Sequence, residues 1–420
     1  MDQPLPFLKK LSERNFAIVV AVVAAALFYF STKAVQRHFD YTYRIALALL
    51  EGQVGLSQKP PSWLNEMVPF EGRYYSVFPL GAVLVNLPVA LLQKLGLFRE
   101  WPGQGLAALV AGGCVYFFYL LSHVAEMSRP RRVLLALFPV FATWTWCNLG
   151  FAGAWQMALG FALLGQTGAL YHTLVRPNPL LAGAWLAVAC GNRTELFITV
   201  PIFAWLWLSR PLENSEDEDA GTGVKAVWGR LRSSRLHWMA IAKFAAFPAI
   251  LLLFTAAYNL ARFDCVFDFG YARIPGVLQE PWYKQGLFSL SAIRWNAYEM
   301  LFRGMIDLPK FPWLRPHAFG TSIFLASPFL FLLFREGGKH RALCWGTIGL
   351  LTLILWCHGN PGGWQYSYRY GIILLPWMFF LIAENGPRRV TAPETTLFVI
   401  SVLLCGLATY EFLWTNMIKP

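Results

Sequence analysis

The sequence predicts an all-helical, polytopic membrane bundle of 10–12 spans, on three observations. The first is composition: of 420 residues 56% are hydrophobic and only 14% charged, with a mean hydropathy of +0.45. A soluble domain carries about 25% charge, so much of this surface faces something other than water. The second is the recurrence of apolar runs of roughly 15–23 residues, close to the length a span needs. The third is their spacing: three polar excursions, 37–76, 210–238 and 261–318, separate the runs. Residues 1–420 therefore read as one transmembrane domain with excursions outside the bilayer.

The first run, Phe16 to Thr32, follows Lys9, Lys10 and Arg14. It is too long for a signal-peptide core and lacks a small-residue cleavage site, which makes it an uncleaved start helix. Its basic flank places the N-terminus in the cytoplasm. Further runs occupy 77–95, 104–124, 132–151, 153–175, 179–208, 239–260, 319–334, 342–357, 367–383 and 397–414. Alternation puts 37–76 and 261–318 outside as two extended extracytoplasmic loops with amphipathic helices, together with 358–367 and the C-terminus. The excursion 210–238, with Glu213, Glu216, Asp217, Glu218 and Asp219 ahead of Lys225, Arg230, Arg232 and Arg235, reads as a solvated cytoplasmic loop. Two topologies remain for the middle. If 77–95 and 179–208 each span once, Arg129, Arg131 and Arg132 fall outside, against the positive-inside tendency. If 77–95 is re-entrant and 179–208 breaks at Gly191-Asn192, those arginines go inside. Arg193 and Glu195 then move from mid-bilayer to the outer surface, avoiding a cost of about 2.5–3.5 kcal/mol per central charge.

A net charge of +12 is accounted for by orientation and anionic headgroups, with no call for a nucleic-acid partner. The 18 Trp, 16 Tyr and 34 Phe suit interfacial belts and sugar-binding surfaces. Six of seven Cys lie in apolar runs, so there is neither a disulfide framework nor metal-ligand spacing.

Candidate chemistry sits in the outer segments. Asp40 follows the start helix and precedes a surface helix, 41–51. It is placed either as a general base at the interface or as a helix cap paired with Arg44. Glu66, and Glu71-Gly72-Arg73-Tyr74-Tyr75 ahead of the proline-interrupted run at Pro79 and Pro88, form a charged turn dipping toward the membrane, either lining a cavity or merely entering a helix. Asn192-Arg193-Thr194-Glu195 interrupts an apolar run as a functional pair or a plain loop. The last turn, His358 to Tyr370, holds Arg369 at a helix mouth, where its fork suits a phosphate or snorkels; Trp364 offers a stacking face, and Tyr368 and Tyr370 flank the arginine.

Taken together, these segments resemble bacterial GT-C glycosyltransferases, the mannosyltransferase-like membrane enzymes that use polyprenyl-phosphate sugars. The resemblance rests on Phe39 to Pro88 with Leu49-Leu50-Glu51-Gly52 and Glu71 to Ser76. It continues through Tyr258-Asn259-Leu260-Ala261-Arg262-Phe263 with Phe267-Asp268-Phe269-Gly270-Tyr271, then Gly286-Leu287-Phe288-Ser289, then Gly362-Gly363-Trp364 through Arg369-Tyr370 to Leu374-Leu375-Pro376. These segments cover most of the chain in the same order. It implies an inverting transfer, on the extracytoplasmic side of an inner or plasma membrane, from a polyprenyl-phosphate-linked sugar to a glycan, lipid or protein acceptor. It further implies that a carboxylate just after the first span is the base, which is Asp40. Many members carry two adjacent acids there where this chain has Phe39-Asp40-Tyr41, so Glu51, Glu66 and Glu71 stand as substitutes. Arg369, Arg193 and Arg73 would hold the donor phosphate, and Trp364, Tyr74, Tyr75, Tyr368, Tyr271 and Asp268 the sugar or acceptor. No cofactor and no metal site is implied, with a divalent cation left open. A transporter or lipid flippase is the competing class; it would favour internal repeats, and the halves show none. A lipid phosphatase or polymerase would need a His/Arg phosphate site; His38, His317 and His358 leave that reading open, without support from their spacing.

Overall fold

The computed structural model describes residues 11–33, 38–210 and 235–418. Lys9 and Lys10 lie outside the described residues, as do the acidic cluster 213–219 and Lys225, Arg230 and Arg232 of the expected 210–238 loop. The chain is mostly helical. It opens on α1 (Glu13–Ser31), capped by the Ser12 hydroxyl, which accepts from the Asn15 amide. The first loop carries α2 (Tyr41–Leu49) and an antiparallel hairpin, β1 (Met67–Phe70) with β2 (Arg73–Ser76). Glu71 and Gly72 turn it with φ of 46° and 76°, the paired left-handed conformations of a two-residue hairpin turn.

Then follow α3 (Leu80–Leu84), α4 (Leu87–Lys94), α5 (Gly103–Leu121), α6 (Arg129–Phe141), α7 (Thr145–Gly150), α8 (Ala154–Leu174), α9 (Pro179–Asn192), α10 (Val200–Leu208) and α11 (Arg235–Phe263). The second loop is built of short turns, α12 (Ile293–Leu301) and the two-residue strands β3 (Ile306–Asp307) and β4 (Leu314–Arg315). The chain closes with α13 (Ile323–Ala326), α14 (Arg341–Cys357), α15 (Leu375–Asn385) and α16 (Ala392–Leu413).

Among the described residues, four helices are long and apolar enough to cross a membrane by length and composition: Glu13–Ser31, Gly103–Val124, Trp238–Phe263 and Ala392–Leu413. Their outward faces are apolar: Phe30 is 78% and Leu253 71% exposed. That is fewer than 10–12 because other expected spans are pieced together. The run 179–208 is α9, a 3₁₀ stretch Thr194–Thr199 and α10, while 367–383 is a 3₁₀ stretch Arg369–Leu374 and α15. Proline at the start of α10 and α15 removes the amide that a continuous helix would use there.

Contacts show which of the middle segments lie at the same end of the bundle. The Ala154 amide donates to Phe39 O and Trp101 Nε1 to Ala152 O, so residues 39, 101 and 152 share one end of the bundle. Between 39 and 101 the chain therefore returns to its starting end. The segment 77–95 folds back beside α2, with Lys94 reaching Leu50 O and Asn86 donating to Thr42 Oγ1. At the opposite end, Arg129 pairs with Glu13 and the Tyr119 hydroxyl donates to the same carboxylate at 2.7 Å. Arg129 thus sits where α1 begins, and the break after Asn192 brings Arg193 back to the loop end. Close helix crossings rely on glycine: a Cβ on Gly183 of α9 would run into the Phe244 carbonyl of α11, and one on Gly81 of α3 into the backbone of Gly191.

The two long loops interlock at the loop end. Arg262, 1% exposed, donates to Ser76 O and, at 2.6 Å, to Asn259 Oδ1, while its guanidinium lies 3.9 Å from the Tyr258 ring centroid. Phe263 meets Phe70 and Tyr75 edge-on.

Candidate active site

The site begins with Trp155, in the first turn of α8. Its position is set by the Phe39–Ala154 backbone bond, which lays the start of α8 against the first loop. The ring packs edge-on against Tyr41 and touches Phe39. Its Nε1 donates to Glu66 Oε2 at 2.8 Å. Glu66 is half-buried as a residue, but burial of the carboxylate pushes its pKa up to about 7, against the lowering pull of the Trp155 bond and the Arg369 charge. Tyr41 beside it donates to Asn65 Oδ1 at 3.1 Å.

Arg369 reaches the same indole, its guanidinium carbon 6.0 Å from the Trp155 centroid. The 3₁₀ stretch Arg369–Leu374 holds it at 8% exposure. Nη1 donates to Gly363 O at 2.9 Å, Nη2 contacts the Tyr370 hydroxyl at 3.5 Å, and Nε has no partner among the described residues. A buried guanidinium bonded only to neutral oxygens, with one N–H unmet, has capacity left for an anionic acceptor. Arg193 lies across the Tyr370 ring, 5.0 Å from its centroid against 5.2 Å for Arg369, but it is neutralised by Glu195 at 2.6 Å.

The second loop supplies the remaining wall. The hydroxyls of Tyr271 and Tyr283 are 3.0 Å apart, and both rings meet His358 edge-on, as does Tyr370. The Gly286–Ser289 stretch holds this in place: the Gly359 amide donates to Leu287 O, and the Ser289 amide to Cys357 O. Burial lowers the His358 pKa despite its Nδ1 contact with Asn360 O at 2.8 Å, and the nearby Arg193 and Arg369 add to that. His358 is a neutral ring at pH 7. Burial raises the phenols of Tyr271 and Tyr283, so both keep their protons.

The structure thus gathers Glu66, Arg369, Arg193 and Tyr271, four of the residues singled out from sequence. Others stand elsewhere. Asp40 occupies the N-cap position of α2 but makes no side-chain cap bond; its carboxylate is taken by Arg44 Nε at 2.9 Å. Glu51 pairs with Lys94 at 3.3 Å. Glu71 and Arg73 are exposed at the hairpin tip; Tyr74 bridges to Leu56 and Tyr75 packs on Phe263. Asp268 accepts from the Gly270 amide and Arg273, a turn of the second loop. Trp364 packs on Phe151 and Phe412; the Tyr368 ring meets Tyr370 edge-on at the margin of the cluster, but its hydroxyl donates within the core toward Asn296 Oδ1 and Leu355 O. Trp155, Tyr283 and Tyr41 were missed. The only local signal for Trp155 is an indole at the loop-end tip of an apolar run. Among the described residues, no group of three His, Cys, Asp or Glu side chains is placed to hold a metal.

Comparison with protein-family models, with curated proteins and with solved structures finds no match.

Proposed function

We propose that this chain is an integral-membrane glycosyltransferase that moves a sugar from a polyprenyl-phosphate donor to an acceptor hydroxyl or amine on the extracytoplasmic side, with inversion. The observation that carries the reading is the pairing, around one indole, of a carboxyl with its pKa near 7 and a buried arginine whose N–H groups are incompletely used. In the transfer, Glu66 takes the acceptor proton as the acceptor atom bonds to the anomeric carbon. The bond from that carbon to the phosphate oxygen breaks, and its electrons leave with the polyprenyl phosphate, whose charge Arg369 stabilises. A base whose pKa lies near the working pH is the most effective proton acceptor, and preorganised donors stabilise the departing anion. Tyr271, Tyr283 and Tyr370 offer hydroxyls and ring faces to the sugar. Glu66 is preferred to Asp40 as the base because Asp40 is occupied by Arg44.

Purified protein assayed against a panel of radiolabelled polyprenyl-phosphate sugars tests the reading. Glu66→Gln should cost about 10²–10⁴-fold in transfer rate with folded yield kept, and Asp40→Asn should be mild. Full transfer by Glu66→Gln, with Asp40→Asn inactive, would return the base to Asp40. The discontinuous helix at Asn192 is what would favour a transporter: uptake of the intact lipid-linked sugar without release of polyprenyl phosphate would replace the enzyme reading.

A further inference from the structure

A second basic site lies apart from the Glu66–Arg369 cluster. Between β3, the segment after β4 and the chain beyond α16 is a cavity of about 320 Å³, at the lower end of ligand-pocket volumes of about 300–1,000 Å³. Arg303, Arg315 and His317 line it, together with apolar atoms of Phe319, Met417 and Ile418. Among the described residues, its lining contains no acidic side chain. Two carboxylates outside the lining lie close to its arginines. Glu299, 1% exposed, forms an ion pair with Arg303 Nε at 3.2 Å, though without hydrogen-bond geometry, and so offsets part of the Arg303 charge. Glu411 is fully buried near Arg315. Arg315 uses Nη1 on Met417 O at 3.2 Å. Burial, with the two arginines adding to it, lowers the His317 pKa, so this ring offers the cavity an N–H rather than a charge.

We propose that this cavity is a second anion site, taking a phosphate monoester or phosphodiester group between Arg303, Arg315 and His317. Two forks and an imidazole N–H match the several acceptor oxygens of such a group, and the apolar side accommodates what the phosphate is attached to. The site does not depend on the transfer reaction. Its wall is nevertheless fastened to the turn that carries Arg369: the Gln365 amide donates to Ala318 O, and its side chain to Phe319 O, both at 2.9 Å.

The test uses the full chain with Arg369→Gln, so that the other arginine pocket is disabled. Melting is followed with inorganic phosphate titrated in detergent, and separately in phosphatidylcholine nanodiscs with and without phosphatidylglycerol. Saturable stabilisation by phosphate identifies a soluble ligand; stabilisation by phosphatidylglycerol alone identifies a lipid headgroup. In either arm, adding Arg315→Gln with His317→Asn should weaken the effect at least about tenfold, or 1.4 kcal/mol. Arg315→Lys alone, which keeps the charge and loses the fork, should weaken it partially and covers the case in which the double variant does not fold. No saturable effect in either arm, or equal effects with and without the Arg315 and His317 substitutions, overturns the site.

Discussion

Glu66 and Arg369 share Trp155, and the balance between them sets the pH dependence of any chemistry here. Burial raises the Glu66 carboxyl from its ordinary 4.5 to about 7. Only the ionised form accepts a proton, so transfer should rise with pH and reach half its plateau near 7. The stability sign is opposite: a carboxyl raised by folding favours the folded state below its unfolded pKa, and that contribution is lost as pH climbs through about 7. Glu66→Gln should remove both dependences, read as a flat residual rate profile and a Tm less sensitive to pH between 5 and 8. A pH–rate profile unchanged by the substitution would take the proton transfer away from this residue. Arg369→Lys keeps the charge and loses the fork. Donor KM should then rise about tenfold, the equivalent of one charge-assisted hydrogen bond of about 1.5 kcal/mol. Unchanged donor affinity in Arg369→Ala would remove the phosphate role. The sequence names both, Arg369 as a cation at the mouth of a helix and Glu66 only as a substitute for Asp40 in the first loop. Asp40 stands out first there, and its capture by Arg44 is the other reading its i,i+4 spacing allows. Trp155 was not legible, because its role comes from a bond between residues 39 and 154 that no local pattern encodes.

Among the elements, run lengths are legible from hydropathy, whereas continuity is legible only through charge: the placement of Arg129, Arg131, Arg132, Arg193 and Glu195 favours a fold-back at 77–95 and a break at Gly191-Asn192. Hydropathy marks 179–208 as one apolar stretch, but it does not show that the chain leaves helical geometry after Asn192, with Arg193 extended at φ −136°. It equally hides that 77–95 folds back, which follows from Thr42–Asn86 and Leu50–Lys94 contacts. The helix ends are where polar side chains carry most weight. Glu394 in the first turn of α16 closes a capping box with Thr391 and also takes Arg131 at 3.1 Å and Arg335 at 2.7 Å. Arg131 and Glu394 are both fully buried. Glu394→Ala would strand a buried guanidinium, and removing one partner of a buried pair costs about 3–5 kcal/mol. Folded yield and Tm in detergent should fall sharply, while Arg335→Gln, at the exposed edge of the trio, should be mild. Gly183→Leu at the α9–α11 crossing should be comparably damaging, because small residues are what let membrane helices approach closely.

For the whole molecule, the decisive property is which parts share an end. The first loop, the second loop, the His358–Tyr370 turn and the chain beyond α16 meet at one end, tied by Arg262 to Ser76, Ser289 to Cys357 and Arg315 to Met417. Glu13, His123, Arg129 and Arg132 collect at the other, with Arg129 on Glu13. Basic residues gather on the cytoplasmic side of membrane proteins, so the Arg129 end should face the cytoplasm and the site the exterior. That orientation can be read directly. Cysteines introduced at Ser62 in the first loop and Ser289 in the second, in a background with the exposed Cys265 replaced, should both react with an impermeant maleimide added to intact cells. One introduced at Arg129 should react only after permeabilisation. Because the two loops are packed together, the two labels cannot fall on opposite sides in a correctly folded chain. A split result would contradict the fold itself; labelling of both only from the cytoplasm would keep the fold and turn it over. In the second case a polyprenyl-linked donor would be met on the cytoplasmic leaflet, and the extracytoplasmic transfer proposed for Glu66 and Arg369 would have to be abandoned.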